Sequence, residues 1–90
     1  MRLKIMPKAS EDLTRISTHI AQHDIEAAVR VVVDLEQRMR LLVTVPNMGR
    51  ATKRNNVREL ILDDYTIPYR VRKDLIEVLR VWHSKQRWWD

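Results

Sequence analysis

The residue pattern changes its period once, near the middle of the chain, and that change decides the architecture. Ala28, Val32, Leu35, Met39 and Leu42 recur at steps of four, three, four and three. Such a row falls on one face of an α-helix, where side chains return to the same side about every 3.6 residues. From Val57 onward the apolar positions alternate instead. Tyr65, Ile67, Tyr69 and Val71 lie on one side, against Thr66, Pro68, Arg70 and Arg72 on the other. Strict alternation belongs to strands with one buried face. Helices followed by strands must segregate to one face of an antiparallel sheet, which is the α+β arrangement.

The boundaries follow from local chemistry. Pro7 suits the opening turn of a first helix, and Glu11 and Asp12 fall early, where carboxylates favour the positive helix end. Ala9, Leu13, Ile16 and Ile20 make the apolar stripe of that helix. Asp24 reads as the N-cap of the next. Val29, Val31 and Val33 each cost the second helix a few tenths of a kcal/mol, and its long stripe outweighs them. Pro46 ends it, and Pro46-Asn47-Met48-Gly49 carries turn chemistry. The link between the helices is short, so they form an antiparallel hairpin.

Three strands follow, Val57–Asp63, Tyr65–Arg72 and Leu75–Trp82. The Asp63-Asp64 and Lys73-Asp74 junctions are tight enough for a meander. Arg2–Met6, with Leu3 and Ile5 on one side, adds a short N-terminal strand. Pro68 has no N–H for a ladder, which predicts a bulge or a solvent-side gap. The fold class is therefore α+β: an N-terminal strand, a helix hairpin and a three-stranded antiparallel meander, in one domain over residues 1–90. The hairpin covers one sheet face, and the other, with Arg70, Arg72 and Arg80, is left for a partner or solvent.

Composition narrows the function classes. Cysteine is absent, which removes disulfides and thiolate metal sites. No apolar run approaches a membrane span and no signal-peptide core opens the chain, so a cytoplasmic protein with no membrane partner is expected. His19 and His23 lie one helical turn apart, but no HExxH glutamate or third ligand accompanies them, and neither metal nor cofactor is expected. Residues 50–90 hold ten Lys/Arg against six Asp/Glu, whereas residues 1–49 hold seven against six. A basic half suits phosphate, an anionic surface or an acidic protein. Arg50, Lys53, Arg54 and Arg58 cluster with no acid between them. Arg80 to Trp89 reads RVWHSKQRWW, where Trp82, Trp88 and Trp89 stand beside Lys85 and Arg87. Large amphipathic side chains next to cations suit an acidic, partly apolar peptide, or a stacked base beside phosphate.

The order of short motifs resembles the RelE/ParE superfamily of type II toxin–antitoxin toxins. The resemblance runs through Ala9-x-x-Asp12-Leu13-x-x-Ile16, Ala27-Ala28, Leu42-x-x-x-Pro46-x-x-Gly49-Arg50 and Val57-Arg58-Glu59-Leu60. It continues through Tyr65-x-Ile67-x-Tyr69-Arg70-Val71, Ile76-Glu77-Val78-Leu79-Arg80-Val81-x-His83 and Gln86-Arg87-Trp88. It implies a bacterial toxin held inactive in a hetero-oligomeric complex with a cognate acidic antitoxin. One branch, ParE-like, poisons DNA gyrase. The other, RelE-like, cuts mRNA on the ribosome. A chain of the same fold that only binds antitoxin is a third class.

The two active branches need different residues. Metal-free RNA cleavage requires a base for the 2′-hydroxyl, a cation for the crowded phosphate and an acid for the leaving oxygen. His83, Arg70, Glu59 and Lys85 are the candidates for those roles. RelE-like members usually carry arginine after the residue that opens the middle strand. This chain has Thr66 there, after Tyr65, and it has Ser84, Trp88 and Trp89 where several of those members place a terminal tyrosine acid. The departures favour the ParE-like branch, with DNA gyrase rather than ribosome and mRNA as target. Arg50, Arg58, Arg72, Arg80, Arg87, Trp82, Trp88 and Trp89 are then the candidates for contact with target or antitoxin.

Overall fold

The computed structural model describes residues 1–84. Its elements are β1 (Arg2–Ile5), α1 (Pro7–Ala21), α2 (Ile25–Thr44), β2 (Arg50–Ala51), β3 (Val57–Ile61), β4 (Tyr65–Arg72), β5 (Leu75–Val78) and β6 (Trp82–His83). The strands form one sheet in the order β1-β5-β4-β3-β2, with β6 also on β4. The meander β3-β4-β5 is antiparallel, and both expected turns are present. β1 runs parallel to β5, Leu3 beside Ile76 and Ile5 beside Val78. A parallel neighbour needs a long crossover, and everything from α1 to β4 supplies it.

The helices sit where their stripes require. Asp24 Oδ1 accepts the Ala27 N–H at 3.1 Å, which caps α2. Ala28, Leu35, Met39 and Leu42 of α2 are buried, as are Ala9 and Leu13 of α1. All of these but Ala28 meet Leu60, Ile67, Tyr69, Ile76, Val78 and Val81 from the sheet in one core. α2 also leaves Ile25, Val29, Val33 and Leu41 exposed, as is Val45 at its C-cap.

Gly49, the only glycine, is required by space and not by a turn conformation. Its φ is not positive. A Cβ there would stand 2.7 Å from the Glu59 carbonyl oxygen and 2.7 Å from Tyr69 Cε1. The Tyr69 hydroxyl fills the gap between the α2–β2 connection and the sheet. It donates to the Pro46 carbonyl at 2.7 Å and accepts the Gly49 N–H at 2.8 Å. Turn chemistry alone had suggested only that the chain reverses at Pro46-Gly49.

The third expected strand is broken. Tyr69 pairs with Val78, but Thr66 pairs with Trp82. Between these pairs, two residues on β4, Ile67 and Pro68, therefore face three on the returning strand, and counting inward from both pairs leaves Arg80 as the extra one. Pro68 is the cause. In an antiparallel strand the N and O of one residue point to the same neighbour. The Pro68 carbonyl accepts Leu79 N–H at 2.9 Å, but proline has no N–H to return. The ladder lapses there and re-forms one residue out of step. The predicted irregularity exists, but it lies on the strand facing Pro68 and not on β4 itself. Pro68 is also fully buried, so the solvent-side gap is absent.

Candidate functional site

The bulge re-aims a side chain, as bulges do. Arg80, expected beside Arg70 and Arg72 on the open sheet face, turns to Asp12 of α1. Arg80 Nε reaches Asp12 Oδ2 at 2.8 Å and Nη2 reaches Oδ1 at 3.1 Å. The Val81 N–H donates to the same carboxylate at 2.9 Å, and Arg15 joins from one helical turn away. Asp12 is 1% exposed. Burial alone would push its carboxyl up. The hydrogen bonds from Arg80, Val81 and Arg15 outweigh that and hold it below the ordinary carboxylate value. Asp12 thus binds α1 to the sheet and does not serve the helix dipole, as its place in the sequence had suggested. One signal was available: Asp12 interrupts the stripe of Ala9, Leu13 and Ile16, and a carboxylate on an apolar face needs a buried partner.

Beside this clamp lies a cavity of about 330 Å³, lined by Ile16, His19 and Ile20 of α1 and by Tyr65, Trp82 and His83 of the sheet. Tyr65 and His83 pair across β4 and β6, with their rings edge to face and centroids 5.9 Å apart. Burial, with Asp64 adding to it, pushes the Tyr65 phenol up. Tyr65 shares its side of β4 with the core residues Ile67 and Tyr69, so His83 faces the helix layer.

The other nuclease candidates lie across the sheet. Glu59 is paired with Pro68, and Arg70 is two residues further along β4 on that same far side. Glu59 is 3% exposed and is engaged by Arg50, whose Nη2 stands 3.1 Å from Oε1. Arg70 stands 3.7 Å and Arg72 3.3 Å from Glu77. The sheet therefore separates His83 from both Glu59 and Arg70. The far face is less open than the sequence implied. Arg70 and Arg72 reach solvent, but Glu59, Thr66, Pro68, Glu77 and Trp82 are buried. Trp82, expected on an exposed tip, lies beneath the Arg80 guanidinium, 5.4 Å from its ring centre. Lys85, Arg87, Trp88 and Trp89 fall outside the described residues.

A third region lies at the opposite end of the sheet. Arg50, Lys53, Arg54 and Arg58 belong to the β2–β3 hairpin, which borders a cavity of about 540 Å³. Arg50 is committed to Glu59, and Arg58 Nη1 donates to the Gly49 carbonyl at 2.8 Å. Lys53 and Arg54 are exposed on the cavity rim. Sequence reasoning named Arg50 and Arg58 as contacts. The structure gives both an internal partner, and Arg58 lines the cavity together with Lys53 and Arg54. His19 and His23 stand 6.3 Å apart between ring centroids, and no third metal-ligating side chain joins them among the described residues.

Comparison with known proteins places this geometry. The family model for the ParE toxin of type II toxin–antitoxin systems, parDE, matches residues 3–88. The fold matches a chain of the solved chromosomal ParDE toxin–antitoxin system from P. aeruginosa with a TM-score of 0.80 and 31% sequence identity. That match covers 92% of this chain and 95% of the other. No curated protein gives a significant match.

Proposed function

Because this chain belongs to the ParE toxin family of type II toxin–antitoxin systems, we propose that it arrests growth by poisoning DNA gyrase and that a cognate acidic antitoxin neutralises it. One observation favours this reading over RNA cleavage. His83 lies on the helix side of the sheet, whereas Glu59 and Arg70 lie on the far side, each engaged by an opposite charge. General acid–base chemistry needs its groups within hydrogen-bond reach of one reacting centre. Two groups divided by a sheet do not meet that condition. Among the described residues, no helix is long and apolar enough to cross a membrane.

The direct test is purified gyrase with relaxed plasmid. The toxin should block supercoiling or trap cleaved DNA, and added antitoxin should reverse the effect. In a parallel reaction, programmed ribosomes should keep their mRNA intact. His83→Ala should still arrest growth on induction. Ribosome-dependent cutting that disappears in His83→Ala would replace this reading with the nuclease one. Expression without growth arrest would leave only an antitoxin-binding module.

A further inference from the structure

α2 carries an apolar row that the described residues leave open to solvent. Ile25, Val29 and Val33 recur at steps of four and stand 71%, 58% and 45% exposed. Steps of four form one ridge on a helix surface. Val32, half-buried, joins this ridge to the core side of the helix. β-branched residues lower helix propensity, because they lose χ1 freedom against the preceding turn. At exposed positions no burial within the chain offsets that loss. Alanine or a long charged residue would suit a solvated helix face better. A continuous apolar ridge in such a place marks a contact surface.

The charges beside the ridge choose its occupant. Glu26 and Arg30 are exposed, and each follows a ridge residue by one position, so they share one flank. A lipid surface asks for basic residues along the flanks of an apolar row. This flank reads Glu26, Arg30, Asp34 instead. An acidic segment would meet Glu26 and Asp34 as well as Arg30, and like charges set opposite each other are unfavourable. A second α2 running the other way presents the same flank with its order reversed, so acid meets base.

From this arrangement we infer that the chain self-associates through α2, as a symmetric pair whose two helices run in opposite directions. A two-fold contact uses the same patch on both copies. With Val29 set against Val29 of the second copy, Ile25 falls opposite its Val33. Glu26 and Arg30 are then two positions short of true opposition, about 3 Å along the axis, which an arginine side chain spans. Each copy's Glu26 faces the other's Arg30, and the pair occurs twice. A parallel arrangement would turn that flank toward the Ala28 and Val32 side of the other helix and lose both pairs. Asp34 lies farther round the helix and is paired with Arg38 at 3.6 Å. Ridges of this kind pack with their axes inclined by about 50°, so the contact spans only a few turns. Three apolar side chains per copy cover less than the ~1,200 Å² at which stable interfaces begin. The pair is therefore weak, with a dissociation constant on the order of 100 μM.

The experiment uses the purified chain without gyrase, so its result is independent of the gyrase reading. Sedimentation equilibrium is followed from about 10 μM to about 1 mM, a range that brackets the expected constant. The average mass should rise from one copy toward two and stop there, since a two-fold contact closes on itself. Val29→Lys sets two like charges across the symmetry axis and should weaken association about tenfold or more. Glu26→Lys and Arg30→Glu should each weaken it about threefold to tenfold. The double variant Glu26→Lys/Arg30→Glu restores opposite charges and should return to within about twofold of wild type. Circular dichroism should find every variant folded, because the substituted side chains are exposed. The inference falls if the wild type stays a single copy at the highest concentration, or if Val29→Lys associates equally well. Failure of the double variant to recover what the single reversals lose would overturn the antiparallel register. A separate titration with antitoxin covers the other occupant. A wild type that remains a single copy, with antitoxin affinity lost in Val29→Lys, would make the ridge the antitoxin's contact and not a self-contact.

Discussion

At the β6 end of the sheet, Arg80 points inward and closes on a carboxylate that solvent hardly reaches. At the β2–β3 end, Lys53, Arg54 and Arg58 border an open cavity whose lining holds no acid. The two regions draw on the same basic residues. The difference lies in the partner. Asp12 gathers donors from Arg80, Val81 and Arg15, so its charge is satisfied internally and supports the fold. The hairpin cations border a cavity with no carboxylate in its lining, so they do not converge on one buried acid there. A cation's role therefore depends less on its own position than on whether the fold brings a carboxylate to it.

The largest effect should come from breaking the clamp. Arg80→Ala leaves the Asp12 carboxylate buried with fewer donors, a situation that costs about 3–5 kcal/mol when a buried pair loses one member. Urea denaturation should give a lower midpoint with an unchanged slope. Asp12→Asn should cost less, because its amide oxygen can still accept Val81 N–H. The clamp also fixes a pH dependence. The Asp12 carboxyl lies lower in the folded chain than its unfolded value near 3.8. Its contribution is then complete above that unfolded value and is lost as pH falls through the lower folded one. Wild-type stability should drop on acidification below about pH 4, and Asp12→Asn should drop less steeply over the same range. Equal acid sensitivity in the two proteins would assign the loss to other carboxylates.

A middle case lies between the two regions, where Tyr69 and Gly49 join the α2–β2 connection to the sheet. Gly49→Ala drives a methyl group into the Glu59 backbone carbonyl, a contact that only a backbone shift relieves. The expected cost is about 1–3 kcal/mol, the range for overpacking. Tyr69→Phe removes the hydroxyl between Pro46 and Gly49 and leaves the buried Gly49 N–H and Pro46 carbonyl without it, for about 1–2 kcal/mol. Both losses should appear as lower melting temperatures. Gly49→Ala should also move the hairpin, since Arg58 is anchored on the Gly49 carbonyl. A changed environment for Arg58 in NMR spectra of Gly49→Ala, absent from Tyr69→Phe, would separate a strained backbone from a lost hydrogen bond.

Much of this fold was legible because its signals are local. The two apolar stripes, the Asp24 cap, the Pro46 stop and the paired turns at Asp63-Asp64 and Lys73-Asp74 each depend on residues within a few positions of one another. β2 and β6 were not legible, since two residues have no period. Pro68 announced an irregularity, but which strand would absorb it depended on the direction of its missing N–H. That choice in turn set the aim of Arg80, whose partner lies 68 residues earlier in the chain. The site followed the same rule. The run of cations at the hairpin was visible from its lack of acids, yet the pairing of Arg50 with Glu59 and the separation of His83 from Arg70 depend on register and sheet face. Neither is written in any one stretch of sequence.

The smallest expected stability effect is the sharpest test of the comparison. Lys53→Gln/Arg54→Gln removes two exposed cations from a cluster with no acid in the cavity lining. If those charges served the fold, their loss would lower stability as the loss of Arg80 does. If they act only as surface charges, their removal should leave stability within about 0.5 kcal/mol of wild type, or raise it slightly by relieving mutual repulsion. Salt decides the sign. Repulsion among exposed charges is screened over about 10 Å at 0.1 M ionic strength, so any gain should be seen at low salt and vanish as salt is added. A clear loss of stability at every salt concentration would mean that the two cations hold the hairpin itself, and the contrast between the two ends of the sheet would fail.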